Sequence, residues 1–239
     1  MSLLSVTREV CAAVGVLVPG AIFSQLTGNR TLQEMLALAN EMAQRIAYDT
    51  RDWTRLRTNA TFAGNGALDV DGVTVVGTSA FDLPENYKRM LLTSNVWRST
   101  SQQQPMRFIS DTDQWLNRRV ASASNSAWGE WTLLGGQIHI WPIMYVGTFA
   151  YFAYLNKNCV ALAGGGFGDT FMSDSDAFVL DERLLKLGMI WQWKASKGSP
   201  YAEDMGTYSD ALANLMGRDS PSPILVGRVP VPGGIYADY

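Results

Sequence analysis

The chain has 239 residues, of which 47% are apolar and 17% charged, with a net charge of −3. That apolar content excludes a disordered chain, and the near-neutral balance leaves no basic footprint for nucleic acid. A single histidine, His139, and two cysteines, Cys11 and Cys159, exclude a zinc cluster, most multi-histidine metal sites and a disulfide framework.

Val6, Val10, Val14 and Leu17 recur at helical spacing, which predicts a first helix over 5–17 that stops at Pro19-Gly20. Thr31 followed by Glu34 has the pattern of a capping box. After it, Leu32, Met35, Leu36, Ala39, Met42, Ala43 and Ile46 form one apolar stripe. This second helix is expected to continue towards Arg55, with Arg45 and Asp49 at i,i+4.

From about Thr58 the pattern changes to strands. Asn65-Gly66 and Asp71-Gly72 predict tight hairpins, with a short strand over 73–76. Leu83-Pro84 opens a segment read as holding a helical turn. Segments 106–109, 131–134, 137–143 and 148–155 are strand-like, with Ile138 and Ile140 expected inside and His139 on the opposite face. Residues 131–156 contain no charge, enough length to span a bilayer. Gly135-Gly136, Pro142 and Gly147 suit strands and turns better, so no membrane span is expected and the product reads as soluble and intracellular. Over 120–168 the only charges are Glu130 and Lys157. A sheet this poor in charge must be covered on both faces, by this chain or by a partner.

Helices return after Asp174. Residues 181–197 carry an apolar series from Leu184 to Trp193, closed by Lys194, Lys197 and Gly198. A further helix follows Ser199-Pro200, and the short link predicts a helical hairpin. The last twenty residues alternate Pro221, Pro223, Pro230 and Pro232 with Ile224, Leu225, Val226, Val229 and Val231, ending in Tyr236 and Tyr239. Prolines keep such an arm extended while its apolar residues give it something to bury, so those seven apolar and aromatic residues are the expected partner interface. The fold expected is α+β: a helical bundle (1–56 and 172–219), a β-rich insertion (57–171) and an extended C-terminal arm (220–239).

Chemistry is sparse. His139 is the only base available to a triad, and a lone histidine on a strand reads as structural. Gly164-Gly165-Gly166-Phe167-Gly168 lacks the Lys-Ser/Thr of a phosphate loop and reads as a flexible connection. Asp174, Asp176 and Asp181 lack the spacing of a calcium loop and read as helix caps. Arg51, Arg55 and Arg57 read as a solvated helix end or a contact for an acidic partner. Five of the eight tryptophans lie between Trp97 and Trp141, which leaves a sugar-stacking platform as an alternative. No cofactor, metal or catalytic residue is expected.

One family accommodates the whole pattern. The opening helix ends in Gly15-Val16-Leu17-Val18-Pro19-Gly20, and the long helix carries Asn40 with Trp53 beyond it. Leu83-Pro84-Glu85-Asn86-Tyr87 follows, then Trp97. The most specific block runs from Asp174-Ser175-Asp176 through Leu180-Asp181-Glu182, Leu184-Leu185, Trp191-Gln192-Trp193-Lys194 and Lys197-Gly198 to Tyr201-Ala202-Glu203. In order and spacing these resemble the head-to-tail adaptors of tailed bacteriophages, known as tail tubular protein A or packaged-DNA stabilisation proteins. The match is spread over nearly the full chain, and the β-rich middle departs most.

The resemblance implies a structural virion protein of the head–tail junction, made in the host cytoplasm. It implies a ring of twelve copies that docks under the portal protein and meets the tail nozzle or next tail protein. DNA would pass through its lumen without specific binding, and no reaction would be catalysed. The alternatives are another neck or tail-completion protein, or a carbohydrate-binding module for host attachment.

Overall fold

The structure is a computed structural model that describes residues 2–73, 75–91, 94–99, 104–120 and 128–219. The expected arm, with Ile224, Leu225, Val226, Val229, Val231, Tyr236 and Tyr239, lies outside the described residues.

Helix α1 (Leu3–Val14) starts at a reciprocal serine cap, in which the Ser2 amide donates to Ser5 Oγ at 2.9 Å and the Ser5 amide to Ser2 Oγ at 3.4 Å. It ends earlier than its apolar spacing suggested, because Gly15 turns left-handed at φ +74°. Helix α2 (Arg30–Gln44) is capped by Asn29, whose Oδ1 accepts the Leu32 amide at 3.2 Å, and not by Thr31. Glu34 pairs instead with Arg30 at 2.8 Å and Lys197 at 2.6 Å. The helix then widens into one π-turn over Arg45–Asp49, and Trp53 Nε1 donates to the Ile46 carbonyl at 2.7 Å.

The middle of the chain is strand-rich. Its elements are β1 (Arg57–Ala63), β2 (Ala67–Leu68), β3 (Val75–Val76), β4 (Ala80–Asp82), β5 (Tyr87–Met90), β6 (Trp97–Arg98), β7 (Arg107–Phe108), α3 (Thr112–Val120), β8 (Glu130–Leu134), β9 (Gln137–Trp141) and β10 (Phe149–Asn156). The segment after Leu83-Pro84 makes one hydrogen-bonded turn, with the Tyr87 amide donating to the Pro84 carbonyl at 2.8 Å, and then continues as strand β5. Strand β10 lies between β1 on one side and β5 and β6 on the other, all antiparallel. A second sheet runs β4-β9-β8-β7, with only β7 and β8 parallel. Strands β2 and β3 form a hairpin turning through Asp71-Gly72, where the Gly72 amide donates to the Asp69 carbonyl at 2.8 Å.

A small sheet of β11 (Val160–Ala161) between β12 (Phe167–Gly168) and β13 (Ala177–Phe178) leads to the last helices. Helix α4 (Glu182–Ser196) is capped by Asp181, whose Oδ1 accepts the Leu184 amide at 2.8 Å. Helix α5 (Ala202–Asp219) returns against it, tied by Lys194 to Asp204 at 2.7 Å. Helix α4 is the hub, packing on α1, α2 and α5.

The expected helical bundle is corrected. Among the described residues the chain is a mixed α and β structure of five α-helices and four small sheets, strand-rich in the middle. The physical reason lies in the core around α4. A bundle closes its core with helix faces alone, yet Leu155, Cys159, Val160, Phe171 and Phe178, from strands and loops, are buried with the helices. Helix α5 fully buries only Tyr208, so it cannot close that core by itself. A second core lies between the two larger sheets, where Phe62, Trp131, Ile138, Ile140, Phe152 and Tyr154 meet.

Candidate functional site

The residues that could have carried chemistry are placed apart. His139 sits half-buried in the middle of β9, edge-on to Trp115 at 6.4 Å, with Ile138 and Ile140 buried on the other face as their alternation predicted. Burial, with a smaller contribution from Arg119, holds its imidazole below the usual value, so it is neutral near pH 7. Cys11 and Cys159 are buried, and burial pushes both thiols up, away from the thiolate form. Among the described residues no group of three or more His, Cys, Asp or Glu could hold a metal ion.

The three aspartates act inside the fold. Asp174 accepts the Ile22 and Phe23 amides at 3.1 Å, starting a short 3-10 turn. Asp176, 1% exposed, accepts three amides: Met172 and Ser173 at 2.7 Å and Ala163 at 2.9 Å. Only Asp181 is the α-helix cap the sequence suggested. The glycine run is the turn of the β11–β12 hairpin, closed by the Leu162 amide on Gly166 at 3.1 Å, and is not a free connection.

The three arginines fasten the helices to β1. Arg51 lies 3.7 Å from the Asp219 carboxylate and donates to the Met216 carbonyl. Arg55 donates to the Val179 carbonyl at 3.0 Å, and Arg57 to the Asp52 carbonyl at 2.9 Å. Of the five tryptophans between Trp97 and Trp141, Trp115 and Trp131 are buried and only Trp97 is exposed, so no row of tryptophans is presented to a sugar.

Helix α3 is an element the sequence reading missed. Its entry is signalled by Asp111, whose Oδ1 accepts the Asp113 amide at 2.9 Å. The helix lies on the second sheet through three side chains. Trp115 meets His139, Arg118 pairs with the fully buried Glu130 at 2.7 Å, and Arg119 lies over Trp141 at 5.1 Å while donating to Ser79 Oγ at 2.6 Å.

The strand-rich middle exposes a cluster of apolar side chains, interleaved on the hairpin with the exposed Asp69 and Asp71. Leu68, Val70, Val73 and Val76 on the β2–β3 hairpin are exposed, Val70 completely. Tyr145 and Val146, exposed on the neighbouring turn, extend this tip. The base of the tip is tied to the neighbouring turn. The Gly66 amide donates to the Met144 carbonyl at 2.7 Å, and the Val146 amide to the Gly66 carbonyl at 3.1 Å. A Cβ on Gly64 would lie 2.4 Å from the Tyr145 carbonyl oxygen, so only glycine permits this approach. Behind the tip, Trp97, Phe149 and Tyr151 are exposed on one face of the β10 sheet, with Trp97 directly opposite Tyr151. Of these exposed residues only Tyr145, Val146, Phe149 and Tyr151 belong to the charge-poor stretch 120–168. Exposed apolar surface gathered in this way marks a candidate docking site.

No protein-family model and no curated protein matches the chain. The candidate site is the apolar tip and the adjoining aromatic sheet face. Among the described residues no helix is long and apolar enough to cross a membrane, and the charge-free run 131–156 folds into β8, β9 and β10.

Proposed function

We propose that the chain is a structural protein of the head–tail junction of a tailed phage. Copies of it assemble into a ring, twelve in the adaptors it resembles, that docks beneath the portal and joins it to the next tail protein. DNA passes through the lumen without specific contacts. The protein works by docking and sealing and catalyses no reaction.

The observation that carries this reading is the exposed apolar tip of Leu68, Val70, Val73, Val76, Tyr145 and Val146, with Tyr145 and Val146 leading in sequence to Phe149 and Tyr151 of the aromatic face. Such a surface is costly to leave in water, at roughly 25 cal/mol per Å² of apolar area, and is stabilised by a protein partner. The residues that carry the resemblance support the same reading, because they brace the fold. Asn40 Oδ1 accepts the Phe171 amide at 2.9 Å, and Asn86 Oδ1 accepts the Tyr154 hydroxyl at 2.7 Å. Asp174, Asp176 and Asp181 hold backbone amides in the same way. A near-neutral charge of −3 suits a channel that must let DNA slide.

The test is negative-stain electron microscopy of purified portal rings with and without the protein. A second ring of density below the portal is expected. Unchanged portal rings at micromolar protein would contradict the reading and favour a lower tail position or attachment to a host glycan.

A further inference from the structure

Strand β1 has an open edge. Among the described residues it pairs with β10 alone. The Gly64 amide donates to the Thr148 carbonyl at 2.8 Å, which fixes the alternation of the ladder. Residues 58, 60, 62 and 64 bond to β10, while Asn59, Thr61 and Ala63 turn their N–H and C=O groups to the other side; the Arg57 amide is taken by the Thr54 carbonyl. The far side of β10 has the matching phase. Phe149 exchanges bonds with Ser99 at 2.8 and 2.9 Å, and the Ala153 amide donates to Ser94 Oγ at 3.3 Å. The bond from Arg57 to Thr54 closes the edge at its start; among the described residues no backbone hydrogen bond from another segment reaches Asn59, Thr61 or Ala63 on the outer side. The side chains of Arg57, Asn59, Thr61 and Ala63 are exposed, on the sheet face that also carries Phe149 and Tyr151. An edge over 59–63 without proline or bulge is a template for another strand.

The chain outside the described residues begins beside this edge. Asp219 ends α5 against Thr54, whose amide donates to Asp219 Oδ2 at 3.1 Å, three residues before β1 starts. The twenty residues that follow contain one window with the right chemistry. In a strand, every second residue faces its neighbour, and a proline facing it loses a donor. Pro230 and Pro232 have even numbers, whereas Pro221 and Pro223 have odd ones. From 224 onward the odd residues Leu225, Gly227, Val229 and Val231 therefore face a partner strand with every donor intact. Three of them, Leu225, Gly227 and Val229, match the three outward residues Asn59, Thr61 and Ala63 of β1.

We infer that residues 224–231 of a neighbouring copy add to the open edge of β1 as an antiparallel strand. The inference rests on the ring reading, since the strand comes from an adjacent copy. Geometry excludes the same molecule as an antiparallel donor. Strand β1 is about 23 Å long, at about 3.3 Å per residue. The four residues 220–223 reach at most about 14 Å, too short to carry the chain from Thr54 to the far end of β1. The chain's own segment could pair only in parallel, which is the less stable ladder, and every other pairing in this sheet is antiparallel. Directly opposite residues share a face, so Leu225, Val229 and Val231 extend the exposed face beside Phe149 and Tyr151. Ile224 and Val226 fall on the face of Ala60 and Phe62.

The test uses the full chain, assembled with portal rings. Thr61→Cys is combined in turn with Leu225→Cys, Gly227→Cys and Val229→Cys, then oxidised and run on a non-reducing gel; Cys11 and Cys159 are buried and do not compete. A ladder of covalent multimers from at least one pair is expected. A cross-linked monomer would assign the strand to its own chain and overturn the inference. Rings that assemble but cross-link in no pair would overturn it and leave the ring reading standing. A chain that stays monomeric with portal present would overturn the ring reading, and the inference with it. A second measurement is independent of cysteine geometry. Val229→Pro removes a donor that faces β1 and should weaken assembly about tenfold, whereas Val226→Pro, which faces away, should change it little. Equal effects of the two would also overturn the inference.

Discussion

Thr54 and Asp219 lie 165 residues apart in sequence and are bonded twice through one carboxylate oxygen: the Thr54 amide reaches Asp219 Oδ2 at 3.1 Å and its hydroxyl the same oxygen at 3.2 Å. Arg51, at 3.7 Å, completes the clasp. It joins the end of α5 to the entry of β1 and so fixes where the C-terminal segment leaves the body.

Asp219→Ala is expected to cost about 1 kcal/mol of stability, the worth of a partly exposed bonded carboxylate. It should also weaken ring assembly, because the segment beyond it is no longer started from a fixed point. Denaturant unfolding and sedimentation of the variant with portal rings check the two effects. A variant that loses stability but assembles normally would show that the clasp serves only the fold.

Removing the valines at the tip separates docking from folding. Val70→Ser with Val73→Ser alters exposed side chains, and stability should change by less than about 0.5 kcal/mol. Portal binding should fall at least tenfold, corresponding to about 1.4 kcal/mol of lost contact. Unchanged binding of the double variant would remove the tip from the interface.

The seat of the tip is testable through glycine. Gly64→Ala places a methyl group against the Tyr145 and Met144 carbonyls, 2.4 and 2.7 Å away, and should cost about 1–3 kcal/mol. Gly72→Ala meets no atom within 4 Å, and its cost of about 1 kcal/mol arises from the left-handed φ of +67°. Thermal unfolding of both should rank Gly64→Ala as the more severe. The reverse order would mean that the hairpin is not held by that close approach.

Arg118→Ala strands Glu130, which is 0% exposed and has its Oε1 bonded only by that guanidinium. A loss of about 3–5 kcal/mol is expected from an uncompensated buried charge. Adding Glu130→Gln should recover part of it, since a neutral amide costs less to bury. A single variant within about 1 kcal/mol of wild type would show that water reaches the carboxylate.

His139 makes a signed contribution to pH dependence. Its folded value lies below the unfolded value of about 6.5, so the unfolded chain takes up the proton first as pH falls. The stability it contributes is complete above that value and is lost on acidification below it. His139→Gln should therefore lose less unfolding free energy than wild type between pH 7 and pH 5. An unchanged difference would contradict the burial argument. Under the docking reading His139→Ala leaves portal binding intact.

Elements whose signal is local were legible in the sequence. Asp181 ahead of the Leu184–Trp193 series predicted the start of α4 to the residue, and the alternation of Ile138 and Ile140 fixed the faces of β9. Helix α3 was not legible, because Trp115 is its only buried residue and one apolar side chain makes no stripe. The end of α1 was misplaced because Val16 and Leu17 continue the apolar run past Gly15, and backbone conformation ended the helix. The bundle expectation failed because nothing local marks Leu155, Cys159 or Phe171 as partners of helices far away in sequence. Charge depletion over 120–168 covers only Tyr145 and Val146 of the tip; the hairpin residues Leu68, Val70, Val73 and Val76 lie outside it. Which valines and tyrosines stay exposed is decided by tertiary packing.

The central claim, that this surface docks a portal, is tested most directly by sedimentation velocity. The purified protein would be run alone and mixed with the portal protein from the same genome. The account predicts that the two migrate together as one larger species in a fixed ratio, whether or not the protein is monomeric by itself. Independent migration of the two at micromolar concentration would contradict it.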